Sequence, residues 1–410
     1  MRHWRLKVVP LFTVAFGFIA VEAGFPQPCR AEAEKQPTTQ ATRAKVKQIL
    51  VVPLLFPDVR PGNLNTAYDA IRDNYSVSLR KYIQEVSYGQ VDINVTVAPW
   101  VNMPNPISSY RLSSWRLKEM GETFQKRKGL VNDACSLVDD AFDLSQFDAL
   151  MLAVGANASD LGRNGYLFRT AWGYPAVYTL KGRRCPPADV HVWNSPIPSI
   201  TYALPKLIAG YENRRSVVPT LYDREAQSTP GPFGYANRYV GGDSGHQYFS
   251  VYMGPWDNLS QHGVSTEDGF VPQGLTSFTK LKLGWIKKEQ ISNVENGTLR
   301  KIRLSPLTDG DGPTLVVRIL LDDMTYYLIE NRQQKGVDRV LPSEGVLIMK
   351  ADDAIPEMQG TVRVVDAHPG VKYFQEAPFK AGEHYRDDVS GIVVKVLSKE
   401  GEDYWIEVQR

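Results

Sequence analysis

Two short runs restrict the fold more than anything else in this chain. Lys47–Phe56 reads KQILVVPLLF and Ala149–Val154 reads ALMLAV, apolar at nearly every position. A strand with one wet face alternates apolar and polar residues, so runs of this kind call for burial on both faces. Helices must then cover each side. Thr66–Val86 places Ala67, Ile71, Tyr75, Leu79, Tyr82 and Val86 at helical intervals, and Trp115–Ala141 is a second helical stretch. Between them Val91–Val97 (VDINVTV) alternates as a half-buried strand. The order strand, helix, strand, helix, strand is that of an α/β layer structure.

Further along, Gly162–Pro198 is rich in Gly, Pro and aromatic residues and reads as an extended surface segment. Ile200–Tyr211 is a short helix in which Pro205 fits only the first turn or a kink, and Leu275–Trp285 is a helix ending at Gly284. From Leu299 the texture changes. Short strands recur at Leu299–Leu304, Thr314–Leu320, Thr325–Ile329, Gly345–Met349, Gly391–Val396 and Tyr404–Val408, separated by turns such as Thr308-Asp309-Gly310-Asp311-Gly312. With 410 residues, the chain has room for an α/β (α+β) domain over 46–294 and a β-rich C-terminal domain over 295–410.

The start of the chain points to export. Arg2, Arg5 and Lys7 precede the apolar run Val8–Val21, about 14 residues, shorter than the roughly 20 that span a bilayer. Residues 1–31 read as a signal peptide and 32–45 as a linker, which implies a secreted or cell-envelope protein; an N-terminal anchor is the competing reading. No later segment is apolar for long enough to cross a bilayer. In an oxidising compartment Cys135 and Cys185 either pair or remain two separate buried thiols. Sequons such as those at Asn94, Asn157, Asn258 and Asn296 matter only in a host that glycosylates them. Lys and Arg number 47 against 45 Asp and Glu, a net charge of +2 with no basic run, so nucleic acid is not an expected partner.

Several phrases, in order, resemble the secreted zinc metallopeptidases represented by immune inhibitor A. They are VVPLLFPDV (51–59), YIQEVSYGQVDINVTV (82–97), FDALMLAVG (147–155), VPTLYD (218–223), GPWDNLS (254–260), FTKLKLGW (278–285) and YYLIENRQQKGVDRVLPSEGVLI (326–348). The resemblance covers about 300 residues and implies a metallopeptidase-like catalytic-type domain followed by the β-rich region. In that family a helix carries H-E-x-x-H just ahead of a phrase like Leu221-Tyr222-Asp223. Two His four residues apart share a helical face and grip one zinc, and the Glu between them deprotonates the metal-bound water.

This chain departs from that pattern. The segment before VPTLYD places Tyr202 and Lys206 at the His positions and Ala203 at the Glu position, and no His lies between His191 and His246. An ammonium adds positive charge where neutral imidazoles are needed, and a methyl group takes no proton. The family's methionine-containing turn is altered too, with Leu259 in Trp256-Asp257-Asn258-Leu259-Ser260.

Other constellations are weaker. His246 and His262 flank the altered turn and are the candidates for a replacement metal site, with Asp223, Asp243 and Asp257 near in sequence. Gly242-Asp243-Ser244-Gly245 resembles a serine-protease nucleophile sequence, but only His191 precedes it in the mature chain, so a glycine-rich turn is the better reading. Asp309-Gly310-Asp311-Gly312 lacks the later acidic ligand of a calcium hand and reads as a turn; the resemblance permits calcium without supporting it. Tyr222, Asp223, Trp256 and Asp257 are candidate cleft-binding residues, and the aromatics around Trp172, Trp193 and Tyr211 suit a peptide or glycan.

The reading that follows is an exported metallopeptidase-like protein without zinc or proteolysis. It would act as a binding or scaffold protein for a peptide, protein or glycan, with no cofactor expected. The alternative is an active secreted metal-dependent endopeptidase with a non-standard site, in which zinc returns.

Overall fold

The computed structural model describes residues 44–110, 120–157, 179–180, 183–212, 215–221, 252–260, 263–267, 269–357 and 359–410. The expected signal peptide therefore lies outside the described residues.

The first apolar run becomes β1 (Lys45–Leu55), which lies between β2 (Val91–Val97) and β3 (Ala149–Val154), with β4 (Ala188–Val192) beyond β3. All these pairings are parallel, and Ile49 lies opposite both Val95 and Ala149. The pleat divides β1 between two cores. Ile49 and Val51 pack with residues of α1 (Leu64–Asp73), α2 (Arg80–Val86) and α4 (Ile197–Ala209). Leu50, Val52 and Leu54 pack with Leu130, Val131 and Ala134 of α3 (Met120–Val138). The continuous apolar pattern thus reflects a sheet with helices on both faces. Asn63 starts α1 by accepting the Thr66 N–H at 3.1 Å, and a π-helical turn, Asn74–Leu79, joins α1 to α2. Gly89, at φ +71°, ends the unit where a Cβ would be strained.

Two expectations need correction here. Part of the supposed surface segment 162–198 is β4, which is buried at every position. The helix begins earlier than expected, and Pro205 sits well inside it. Proline removes a helical donor, but every residue from Pro198 to Leu207 is buried, and that packing holds the helix through the defect. The helix foreseen over Leu275–Trp285 is shorter, α5 (Ser277–Lys282).

The C-terminal strands all appear: β6 (Leu299–Leu304), β7 (Val316–Leu320), β8 (Thr325–Arg332), β9 (Gly345–Asp352), β12 (Ile392–Glu400) and β13 (Asp403–Gln409). Three more were not foreseen: β5 (Ile291–Asn293), β10 (Val362–Val365) and β11 (His384–Asp387). They form two sheets, β5-β7-β8-β9-β10 and β6-β13-β12-β11. Ile319, Ile329 and Ile348 of one pack with Leu304, Val394 and Ile406 of the other. The opposite face of the first sheet, with Val316, Leu328, Leu347 and Met349, joins the core that holds α2 and α4. One core therefore crosses the expected boundary at 294/295, β5 pairs in parallel with β7, and residues 43–410 form one compact unit. Among the described residues no helix is long and apolar enough to cross a membrane.

On the far side of the parallel sheet, Cys135 of α3 is joined to Cys185, with Cα atoms 6.8 Å apart and both residues buried. This resolves the open alternative in favour of pairing. The bridge closes a sequence separation of 50 residues. Loop-closure entropy alone then gives about 4 kcal/mol. The double variant Cys135→Ser/Cys185→Ser is expected to lose about that much in a guanidinium titration. An unchanged midpoint would show that the bridge does not constrain the unfolded chain.

Candidate functional site

The positions that would carry metal ligands, Tyr202, Ala203 and Lys206, lie on the inner face of α4 and are 1%, 0% and 1% exposed. The Lys206 ammonium donates to Thr220 Oγ1 at 2.5 Å and forms an ion pair with Glu357. Thr220 donates its backbone N–H and its hydroxyl to Glu357 Oε1, both at 3.0 Å, and Tyr202 Oη lies 3.1 Å from the same hydroxyl. The single Thr220 proton goes to the carboxylate, leaving its lone pairs for Lys206 and Tyr202.

Burial opposes ionisation of Glu357, but the Lys206 charge and the Thr220 donors outweigh it and hold the carboxyl below its ordinary range. An ammonium hydrogen-bonded to a carboxylate has no lone pair with which to bind a metal or take a proton. Among the described residues, Glu357 is the carboxylate paired with Lys206, and its Oε1 already accepts from Lys206 and Thr220. Among the described residues no group of three His, Cys, Asp or Glu is placed to hold a metal ion.

The remaining candidates separate. Tyr222, Asp223, His246 and His262 lie outside the described residues, as do Asp243 and Ser244. Trp256 and Asp257 are fully buried, which makes them framework rather than surface for a cleft ligand. Asp257 accepts from Leu259 N–H, Thr276 N–H and the hydroxyls of Thr276 and Thr279, all at 2.7–2.8 Å. Burial still pushes its carboxyl up. The Trp256–Ser260 turn packs beneath α4, with Asn258 Nδ2 donating to Thr201 Oγ1 at 3.0 Å. Asn258 is therefore no glycan acceptor. In the Asp309–Gly312 turn, Asp309 pairs with Lys335 at 2.8 Å. Trp193 is half-buried.

Two pairs escaped the sequence reading. Glu357 and Thr220 carry no local signal, since the contact spans 137 residues. Asp189 and His191 could have been found from the alternation Ala188-Asp189-Val190-His191-Val192. They lie on the face of β4 opposite Val190, Nε2 to Oδ2 at 2.5 Å, and are buried.

Four of the phrases, 82–97, 254–260, 278–285 and 326–348, meet in a second buried cluster. Arg332 Nη1 donates to Trp256 O at 2.7 Å and to Glu330 at 3.0 Å, while Nη2 and Nε hold Asp338 at 2.8 and 3.1 Å. Glu330 also accepts Ser277 N–H at 2.6 Å, and Asp338 accepts Gly274 N–H at 2.8 Å. Lys280, 3% exposed, donates to Val86 O at 2.9 Å and lies 3.8 Å over the Tyr88 ring. Burial lowers its pKa to about 7, although Asp338 and Glu330 pull the other way.

Neither a protein-family model nor a curated protein matches the chain.

Two expectations follow from these geometries. Glu357→Ala strands a buried ammonium and should cost about 3 kcal/mol, while adding Lys206→Met should recover most of it. The folded pKa of Glu357 is lowered, so its contribution is full above about pH 4.5 and is lost as pH falls through the folded value. Urea midpoints at pH 7 and pH 3 check both; a double variant as weak as the single one would refute the pairing. For Lys280 the slope has the same sign, but it reflects a penalty on the buried charge rather than a favourable pairing. Between about pH 7 and 10.5 the unfolded chain binds the proton that the folded chain releases. Wild-type stability should therefore rise relative to Lys280→Met by about 1.4 kcal/mol per pH unit. Parallel pH profiles for the two proteins would contradict the shift.

Proposed function

We propose that the chain is an exported, metallopeptidase-like protein of the immune inhibitor A type that has lost zinc binding and proteolysis and acts as a binding or scaffold protein. The observation that carries this is the Lys206–Glu357 pair beside Ala203. A monovalent cation fixed to the protein occupies the helix position where the family would place a metal ligand. Ala203 leaves no base to activate water. The framework phrases remain intact around it, converging on Arg332, so stability has been kept where chemistry has not.

Export is supported by two independent features. The basic, apolar start has the form of a secretory signal. The Cys135–Cys185 bridge suits an oxidising compartment. The partner is a peptide, protein or glycan met outside the cytoplasm. Nothing in this reading requires a cofactor.

The decisive measurement is elemental analysis of the purified mature protein together with casein hydrolysis, with and without a chelator. We expect no stoichiometric zinc and no chelator-sensitive cleavage. Zinc at one per chain accompanied by such cleavage would replace this reading with that of an active endopeptidase built on a non-standard site.

A further inference from the structure

We infer that Lys206 and Thr220 form a carboxylate-binding site which Glu357 occupies from within the chain, as a stand-in for the carboxylate of a ligand. The inference rests on the proposed reading that these positions hold no metal.

Three donors of different kinds converge on Glu357 Oε1: the Lys206 ammonium, the Thr220 hydroxyl at 3.0 Å and the Thr220 backbone N–H at 3.0 Å. An ammonium, a hydroxyl and an amide aimed at one oxygen make a receptor for a carboxylate, since charge-assisted bonds to such an oxygen are the strongest available to these groups. One ammonium matches one negative charge. The donors are fixed and dry. Lys206 is 1% exposed and Thr220 3%, on α4 and the segment that follows it, and Tyr202 backs the Thr220 hydroxyl at 3.1 Å.

The acceptor is placed differently. Glu357 belongs to the connection between β9 and β10, where Ala354, Pro356 and Gln359 are exposed, and its side chain is 33% exposed. The buried donors therefore belong to the core of the first half, while the oxygen they hold reaches them from the surface of the second. An external carboxylate can replace Glu357 at the donors without disturbing α4. Glu357 competes with it, so the apparent affinity is the intrinsic affinity multiplied by the fraction of time the donors stand free of Glu357. Two sources share the chemistry: the C-terminus of a peptide and an acidic side chain within one.

The test uses the full mature chain as wild type, as Glu357→Ala and as Glu357→Ala/Lys206→Met. Acetate is titrated at constant ionic strength against chloride, with thermal stability as the readout. Two peptides follow by calorimetry, one with a free C-terminus and no acidic residue, the other amidated with a single internal Glu. We expect acetate to stabilise Glu357→Ala saturably and to leave the double variant unmoved. At least one peptide should bind Glu357→Ala at least about tenfold more tightly than wild type. The peptide that binds identifies the source.

Equal acetate responses in the single and double variants would overturn the inference. So would two peptides that bind Glu357→Ala no better than wild type. Should Glu357→Ala fail to accumulate, Glu357→Gln takes its place, since the amide keeps the shape but competes more weakly, and wild-type affinity in that variant is equally fatal. A flat titration in zinc-free protein counts against this site alone, whereas zinc with casein cleavage counts against the reading beneath it.

Discussion

A guanidinium with no access to water sets the terms for much of this molecule. Arg332 is fully buried at the end of β8, and a charge in that position persists only if nearly every donor finds an acceptor. Glu330, Asp338 and the Trp256 carbonyl meet that demand from three parts of the chain. The two carboxylates impose demands in turn, which backbone N–H groups at Gly274 and Ser277 satisfy. The segment leading into α5, the turn at Trp256 and the strand β8 are thus fixed against one another by a single network. A monodentate Lys could not hold Asp338 through two nitrogens while reaching Trp256.

That network also explains why the two halves do not divide where the sequence changes texture. The change near Leu299 is real, because helical spacing gives way to short strands. The sequence nevertheless suggests a separate β-rich domain over 295–410. The runs in β8 and β9 are buried at almost every position, the same signature that identified β1, and their second face packs on the helices of the first half. Period and apolar run length were therefore legible, whereas the identity of the covering layer was not.

Local composition misled in one other place. Gly, Pro and aromatic residues around 162–198 outweighed the five-residue alternation of β4, so a buried parallel strand was read as surface. Its Asp189 and His191 show how little a lone His in a sequence discloses about its surroundings. That Tyr202, Ala203 and Lys206 share one helix was legible from the spacing of apolar residues around them. Their partners were not. Glu357 lies far along the chain, and nothing near it in sequence marks it as the counter-charge of a buried Lys.

The pairing has a consequence for how such a site changes over time. On the proposed reading, Lys206 and Glu357 hold each other in place. Restoring a ligand at Lys206 alone leaves Glu357 without its counter-charge, and removing Glu357 alone strands an ammonium in the core. A metal arriving beside Lys206 meets charge repulsion, and beside Ala203 it finds no base for its water. Each single step back towards catalysis is therefore opposed by stability before it gains any chemistry. On that reading, the Lys206 ammonium paired with Glu357 stands where an exchangeable cation would have to return.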